Sequence, residues 1–585
     1  MDSTQKLNQD LINDNYNFTD PSATKQQIQI FSNLKVLLVD DQHSFIVMMK
    51  SMLTVMGFTK IDIANNADQA IKLTKKHSYD IYLFDYNLGQ GLNGRQVIEK
   101  LHKNKKILPH AIVLIITGDN SRAMVLSAIE QEPDDYIIKP FSLIQFKERL
   151  HNAMHRKHSL SNVYKALYED NNEELIKALN SQLASNTPYY IYCRCLLANC
   201  YVKENKFDLA KATLQEGLAL TDSPYLKITL GKVYYSEQNY QDAIKELSEI
   251  VEKHPMQMEA LKFLTFSYIE SGQNELANKT IKRAVLMSPM SVSLLQLQID
   301  MSLKNKDYLQ ARDTIALLLD VNKYYPKEVE NLLSSFVQCE IAFVQNSGDV
   351  FHISNVQKYI RNIMSKFKKH VNADRFNSIL FDQICTARIQ MVKGENIKAK
   401  RTLYKAYASC DEKDTSSTPV MGQMYLGFHQ VGEYEIAEQI KKTIEANKAD
   451  SDNLDNSIAS TILTNCVDNY VNDPQTKERS SKYKELNEQG INYYKLGKLD
   501  EALECFKDAL KKVPSNTNAI LNKIQVLIDI CERTNQTKER NYKLKVSKLI
   551  SEAEIGLQSL DGLNLTEAQY ARTSLLKTDI ANLKR

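Results

Sequence analysis

"KVLLVDDQHS" (35–44) ends a mostly aliphatic run on two adjacent carboxylates, Asp40 and Asp41. Like charges side by side at an apolar strand end repel each other and are poorly solvated, so the pair calls for a partner elsewhere in the chain. Similar short runs recur at Ile61 to Ala64, Ile81 to Phe84, Ile112 to Ile116 and Tyr136 to Ile138, separated by amphipathic stretches. Short apolar runs alternating with helical patterns predict an α/β domain over 31–157, a five-stranded parallel sheet with helices on both faces. Residues 1–30 are polar and read as a flexible tail.

In such sheets ligands sit at the carboxyl ends of the strands. Asp40 and Asp41 follow the first run, and Asp85 follows the third in "IYLFDYNLGQG" (81–91). Thr117 follows the fourth in "IVLIITGDN" (112–120), and Lys139 the fifth in "DDYIIKPF" (134–141). Taken singly these are weak signals: an Asp pair is usually a solvated turn, a threonine here a helix cap, a Lys–Pro a plain turn. Their convergence on one sheet edge carries the reading. Unit charges about 4 Å apart repel by roughly 4 kcal/mol at an effective dielectric near 20. A divalent ion removes that cost, and Mg²⁺ suits carboxylates, water and a phosphate oxygen. One carboxylate could then attack phosphorus, with Lys139 and the Thr117 hydroxyl receiving the transferred group.

These residues resemble the response-regulator receiver domain of two-component signalling, of flavodoxin-like fold. The resemblance implies that Asp85 is the phosphoacceptor and that Asp40, Asp41, Asp85 and the Asn87 backbone carbonyl hold Mg²⁺, Asp41 being favoured as the direct ligand of the pair. It implies switch roles for Thr117 and Tyr136, a catalytic role for Thr117 and Lys139, and a cis bond before Pro140. The loop "DYNLGQGLNG" (85–94) departs from the family pattern by one residue before Gly94 and by lacking Met–Pro. His43 reads as a surface residue.

Beyond 158 the strand signal ends. "LLANCYVKENKFDLAKATLQEGL" (196–218), "LGKVYYSEQNYQDAIKELSEIVEKHP" (230–255) and "LTFSYIESGQNELANKTIKRAVLMSP" (264–289) align Ala198, Gly231 and Thr265 at spacings of 33 and 34. Tyr201, Tyr234 and Tyr268 align likewise, as do Ala210, Ala243 and Ala277. The period resembles the tetratricopeptide repeat, whose small residues let paired helices approach. A clean copy is "GINYYKLGKLDEALECFKDALKKVP" (490–514). The expected organisation is tetratricopeptide-like repeats over 158–330, divergent helical repeats over 331–446, a polar linker over 447–483, and C-terminal repeats over 484–585. The alanines and tyrosines are read as packing, and a concave groove as a surface for another protein.

Composition narrows the alternatives. Lys plus Arg number 74 against 71 Asp plus Glu, so charge gives no case for nucleic acid or an anionic membrane. No stretch reaches the roughly 18 apolar residues of a membrane span, and a cytoplasmic protein is expected. The nine cysteines lack metal spacing, Cys193, Cys195 and Cys200 reading as core. The histidines at 254, 352, 370 and 429 are isolated, and the repeats carry no enzyme motif. The expectation is a non-enzymatic regulator served by a sensor histidine kinase or phosphotransfer protein, with a protein partner at the repeats and room for a homodimer. The rivals are a DNA-binding regulator, for which "SKFKKH" (365–370) is the best basic cluster, and a passive phosphate sink.

Overall fold

Strands with apolar side chains on both faces must be covered on both, and the sheet shows this residue by residue. The computed structural model describes residues 31–118, 133–449, 457–537 and 542–584. The chain forms two compact units, Met1–Leu294 and Leu295–Arg585. The first begins with β1 (Lys35–Val39), α1 (His43–Val55), β2 (Lys60–Ala64), α2 (Ala67–Lys76) and β3 (Ile81–Asp85). It continues with α3 (Gly94–Lys103), β4 (Ile112–Thr117), β5 (Asp135–Ile138) and α4 (Leu143–Ser159). The strands are parallel in the order β2-β1-β3-β4-β5, the flavodoxin-like arrangement. The expected polar tail, 1–30, and the residues between Gly118 and Pro133 lie outside the described residues.

Successive strand residues point to opposite faces. Val36, Leu38, Ile81, Leu83 and Leu114 pack with Met49 and Leu53 of α1 and Phe146 and Leu150 of α4. Leu37, Val39, Tyr82, Phe84 and Val113 pack on the other side with Ala70 of α2 and Val97 and Ile98 of α3. Each such side chain contributes about 1.5–3 kcal/mol by burial. The alternation also aims the residues at the strand end: Asp85 follows Phe84 onto the α1–α4 side, and Tyr86 returns to the α2–α3 side. Helix starts are fixed by reciprocal caps, Asn93 with Gln96 on α3 and Ser142 with Gln145 on α4.

Helix pairs follow: α5 (Ser161–Glu169) with α6 (Asn172–Ala184), α7 (Tyr190–Lys203) with α8 (Phe207–Leu220), α9 (Pro224–Ser236) with α10 (Tyr240–Lys253), and α11 (Met258–Glu270) with α12 (Asn274–Met287). Ala198, Ala210, Ala243, Thr265 and Ala277 are wholly buried where the helices of a pair approach. At Gly231 a Cβ would stand 2.6 Å from Leu247 Cγ, inside van der Waals contact. Gly231→Val is therefore expected to destabilise the first unit by about 1–3 kcal/mol through overpacking. Chemical denaturation measures this, and an unchanged midpoint contradicts it.

Helix α13 (Val292–Lys304) runs across the division between the units. In the second unit α14 (Tyr308–Asn322) and α15 (Pro326–Ser347) precede α16 (Val350–Phe367), α17 (Ser378–Val392), α18 (Asn396–Ala408), a short α19 (Glu412–Thr415), α20 (Thr418–Val431) and α21 (Tyr434–Ala449). Helices α22 (Ile458–Val471), α23 (Pro474–Lys495), α24 (Leu499–Lys512), α25 (Thr517–Thr537), α26 (Tyr542–Leu560) and α27 (Glu567–Leu583) complete it. Its interior holds charge: the buried Arg388 guanidinium donates to Gln338, Gln423 and Gln430, and Lys400 pairs with the wholly buried Glu433 at 2.6 Å. The segment 447–483 corrects the sequence expectation of a polar linker. It is helical over α22 and the start of α23, and Ala459, Ile462, Leu463 and Cys466 are buried. Four small or apolar residues at helical spacing suffice to bury one stripe, though the overall composition is polar. Among the described residues no helix is long and apolar enough to cross a membrane.

Candidate functional site

The parallel register brings the polar strand ends together. Val39 of β1 lies beside Phe84 of β3, Asp85 beside Ile116 of β4, and Thr117 beside Ile138 of β5. Asp40, Asp41 and Asp85 therefore meet, with carboxylate oxygens all within 4.8 Å of one another. Asp40 is wholly buried and Asp85 is 5% exposed, while Asp41 is exposed. The Gln42 amide donates to Asp40 Oδ1 at 2.8 Å, and the Asp40 amide donates to the Ala64 carbonyl.

Lys139 supplies the positive charge. Its Nζ donates to Asp40 Oδ2 at 2.7 Å and stands 3.5 Å from Asp85 Oδ1. The Lys139–Pro140 bond is cis, and the Lys139 amide donates to the Thr117 carbonyl at 2.7 Å. Burial pushes the Asp85 carboxyl up to about 6; the charges of Asp40 and Asp41 act in the same direction, and Lys139 opposes them. Three carboxylates facing one ammonium leave net negative charge in a partly desolvated site. That donor set fits a hard divalent cation with oxygen ligands.

Asp85, Asn87 and Lys139 line an open pocket of about 830 Å³ whose other wall includes Phe45, Met48 and Phe141. Thr117 is buried at the end of β4, adjoining Gly118 of the pocket. Asn87 is exposed in the loop after β3. Tyr136 is half-buried on the α2–α3 side, one strand residue from Ile137 on the opposite face. His43 is exposed in the first turn of α1.

Sequence reasoning missed two supports. Lys139 Nζ lies 3.7 Å from the centroid of the Phe45 ring, which places the ammonium between two carboxylates and an aromatic face. An aromatic in the first turn after the acidic pair was the available signal. The loop glycines are the second. Gly89 has φ +70°, and a Cβ there would come within 3.0 Å of Asp41 Oδ2. At Gly94 a Cβ would overlap the Asp85 carbonyl oxygen at 2.0 Å, so α3 can start there only with glycine. The loop thus closes against the acceptor strand through its glycines.

Residues 36–151 match the response regulator receiver domain, and 483–516 match the tetratricopeptide repeat. The chemotaxis protein CheY-3 of Vibrio cholerae is 29% identical over 124 residues, 21% of this chain and 94% of that protein. An uncharacterized transcriptional regulatory protein, YcbL of Bacillus subtilis, is 34% identical over 120 residues, 20% of this chain and 50% of its own length. A CheY-like receiver domain structure from Methanospirillum hungatei is 25% identical, covering 21% of this chain and 97% of its own at a TM-score of 0.20. The chain carries a response regulator receiver domain at its N-terminal end and a tetratricopeptide repeat near its C-terminal end, within a long helical region.

Proposed function

We propose that this chain is a phosphorylation-controlled regulator in which Asp85 accepts a phosphoryl group from a sensor histidine kinase or phosphotransfer protein and the helical repeats pass the signal to a protein partner. The observation that carries the reading is the meeting of Asp40, Asp41 and Asp85 within 4.8 Å around the Lys139 ammonium. An Asp85 oxygen attacks phosphorus, the bond from phosphorus to the donor breaks, and the donor leaves with the electron pair while Asp85 becomes an acyl phosphate. Lys139 moves from Asp85 to the new phosphoryl oxygens, and the Thr117 hydroxyl donates to one of them. Mg²⁺ held by Asp40, Asp41, Asp85 and the Asn87 carbonyl would supply charge neutralisation for the incoming phosphoryl group. Tyr136, two residues before Ile138 on the strand beside Thr117, would respond when that threonine moves. The face formed by β5 and α4 would then change, and α4 leads into the first repeat helix after Leu160.

The passive-sink and DNA-binding alternatives have less support. In the basic cluster at 365–370 Lys366 pairs with Asp320 at 2.8 Å, which removes part of the charge a phosphate backbone needs. The test is incubation with Mg²⁺ and acetyl phosphate, read by intact mass. The wild type is expected to gain one phosphoryl group, and Asp85→Asn and Mg²⁺-depleted wild type none. Equal labelling of Asp85→Asn would overturn the assignment. Pull-downs with beryllofluoride-treated protein and with Asp85→Asn then separate a switch from a passive scaffold.

A further inference from the structure

The residue after the acceptor points away from the pocket, toward the repeats. Tyr86 is 2% exposed on the α2–α3 side, and its hydroxyl lies 4.0 Å from Met290 Sδ, in the turn between α12 and α13. Its backbone is tied to the switch: the Tyr86 amide donates to the Ile116 carbonyl, next to Thr117, and the Tyr86 carbonyl accepts from the Gly94 amide at the start of α3. The first half of α3 is buried all round, Gly94 to Ile98 inclusive, whereas in its last turn Lys100, His102 and Lys103 are exposed. A helix lying on a sheet alone would keep its outer face wet. Arg95 in this stretch is 4% exposed, its guanidinium 3.7 Å from Glu99. On the repeat side Ser288 and Ser291 are wholly buried, and Ser288 Oγ has no hydrogen-bond partner among the described residues. The repeats also touch the turn that follows the other end of α3. The Tyr168 hydroxyl donates to the Lys105 carbonyl at 3.0 Å, and Lys105 Nζ donates to the Tyr168 carbonyl. Helix α3 runs back along the sheet, so Lys105 and Tyr86 mark its two ends.

We propose that the 288–291 turn is a docking site for the chain's own receiver domain, a latch gripping Tyr86 that loosens when Asp85 carries a phosphoryl group. This rests on the phosphoacceptor reading of Asp85. One peptide bond and one side chain separate the acceptor from the repeats. A 4.0 Å contact between oxygen and sulfur is at the outer limit of hydrogen bonding, so a small shift of the β3–β4 ends breaks it. The turn also leaves the buried Ser288 hydroxyl unsatisfied, a cost of the docked arrangement. This route lies on the sheet face opposite α4 and does not require the β5–α4 surface.

Linkage supplies the test, because a latch loosened by phosphorylation must weaken phosphoryl-analogue binding by the same factor. The full chain with Mg²⁺ is titrated with beryllofluoride, followed by ¹⁹F NMR, as wild type, Met290→Ala and Tyr86→Phe. Met290 is 39% exposed, so its truncation spares the receiver core. Both variants are expected to bind the probe several-fold more tightly than wild type. Amide exchange at 284–291 is expected to quicken several-fold in wild type on probe binding, and in both variants without it. A bound fluorine signal with equal affinities and unchanged exchange overturns the latch alone. No bound signal in wild type removes the Asp85 reading, and the latch with it.

Discussion

Lys139→Met is expected to destabilise the metal-free receiver domain by about 3–5 kcal/mol, the range for stripping one partner from a buried ion pair. Asp40 is wholly buried, and the 2.7 Å bond from Lys139 Nζ brings it positive charge. Methionine keeps most of the side-chain volume and its contact with the Phe45 ring, so the loss is chiefly electrostatic. The double variant Asp40→Asn/Lys139→Met separates the two explanations. With the buried charge gone as well, most of the lost stability should return, and urea denaturation of the single and double variants measures it. If the double variant is as unstable as Lys139→Met, the site is held by packing, and its electrostatic account is wrong.

Asp85→Asn should act in the opposite direction. In the folded chain the Asp85 carboxyl holds its proton up to about 6, whereas an unfolded aspartate releases it near about 3.9. The folded state therefore binds more protons between these values, and stability falls as pH rises from about 4 through about 6. Above that the loss is complete and amounts to about 3 kcal/mol, at about 1.4 kcal/mol per pH unit. Asparagine at 85 carries no such penalty. The metal-free variant should thus exceed wild type by about 1–3 kcal/mol at neutral pH, with the gap closing as pH falls toward 4. Millimolar Mg²⁺ should close it too, by stabilising the wild-type carboxylates. A gap that is absent at neutral pH, or that widens on acidification, would show that Asp85 is not strained by its neighbours. Such strain is useful in an acceptor, because it is relieved when a cation binds.

Much of this was legible in the sequence because β structure has short memory. Aliphatic runs of four to six residues, each closed by a polar residue, specify both the strand and the edge where that residue emerges. Asp40, Asp85, Thr117 and Lys139 could be placed at one edge before any contact was known. The repeat period was legible for a similar reason: Gly231 and Gly490 stand where a Cβ would strike Leu247 or Phe506, both sixteen residues on. Segment 447–483 was misread because composition averages over faces, and Ala459, Ile462, Leu463 and Cys466 make only one narrow stripe.

The sequence by itself determined the two architectures and the chemistry gathered at the sheet edge, since both follow from periodicity and local residue type. Only the tertiary structure decided what surrounds them: the Phe45 ring against the Lys139 ammonium, the loop glycines against Asp41 and Asp85, and Met290 against Tyr86. Those contacts join residues up to 204 positions apart. Their partners are set by packing of whole helices, which no local pattern encodes.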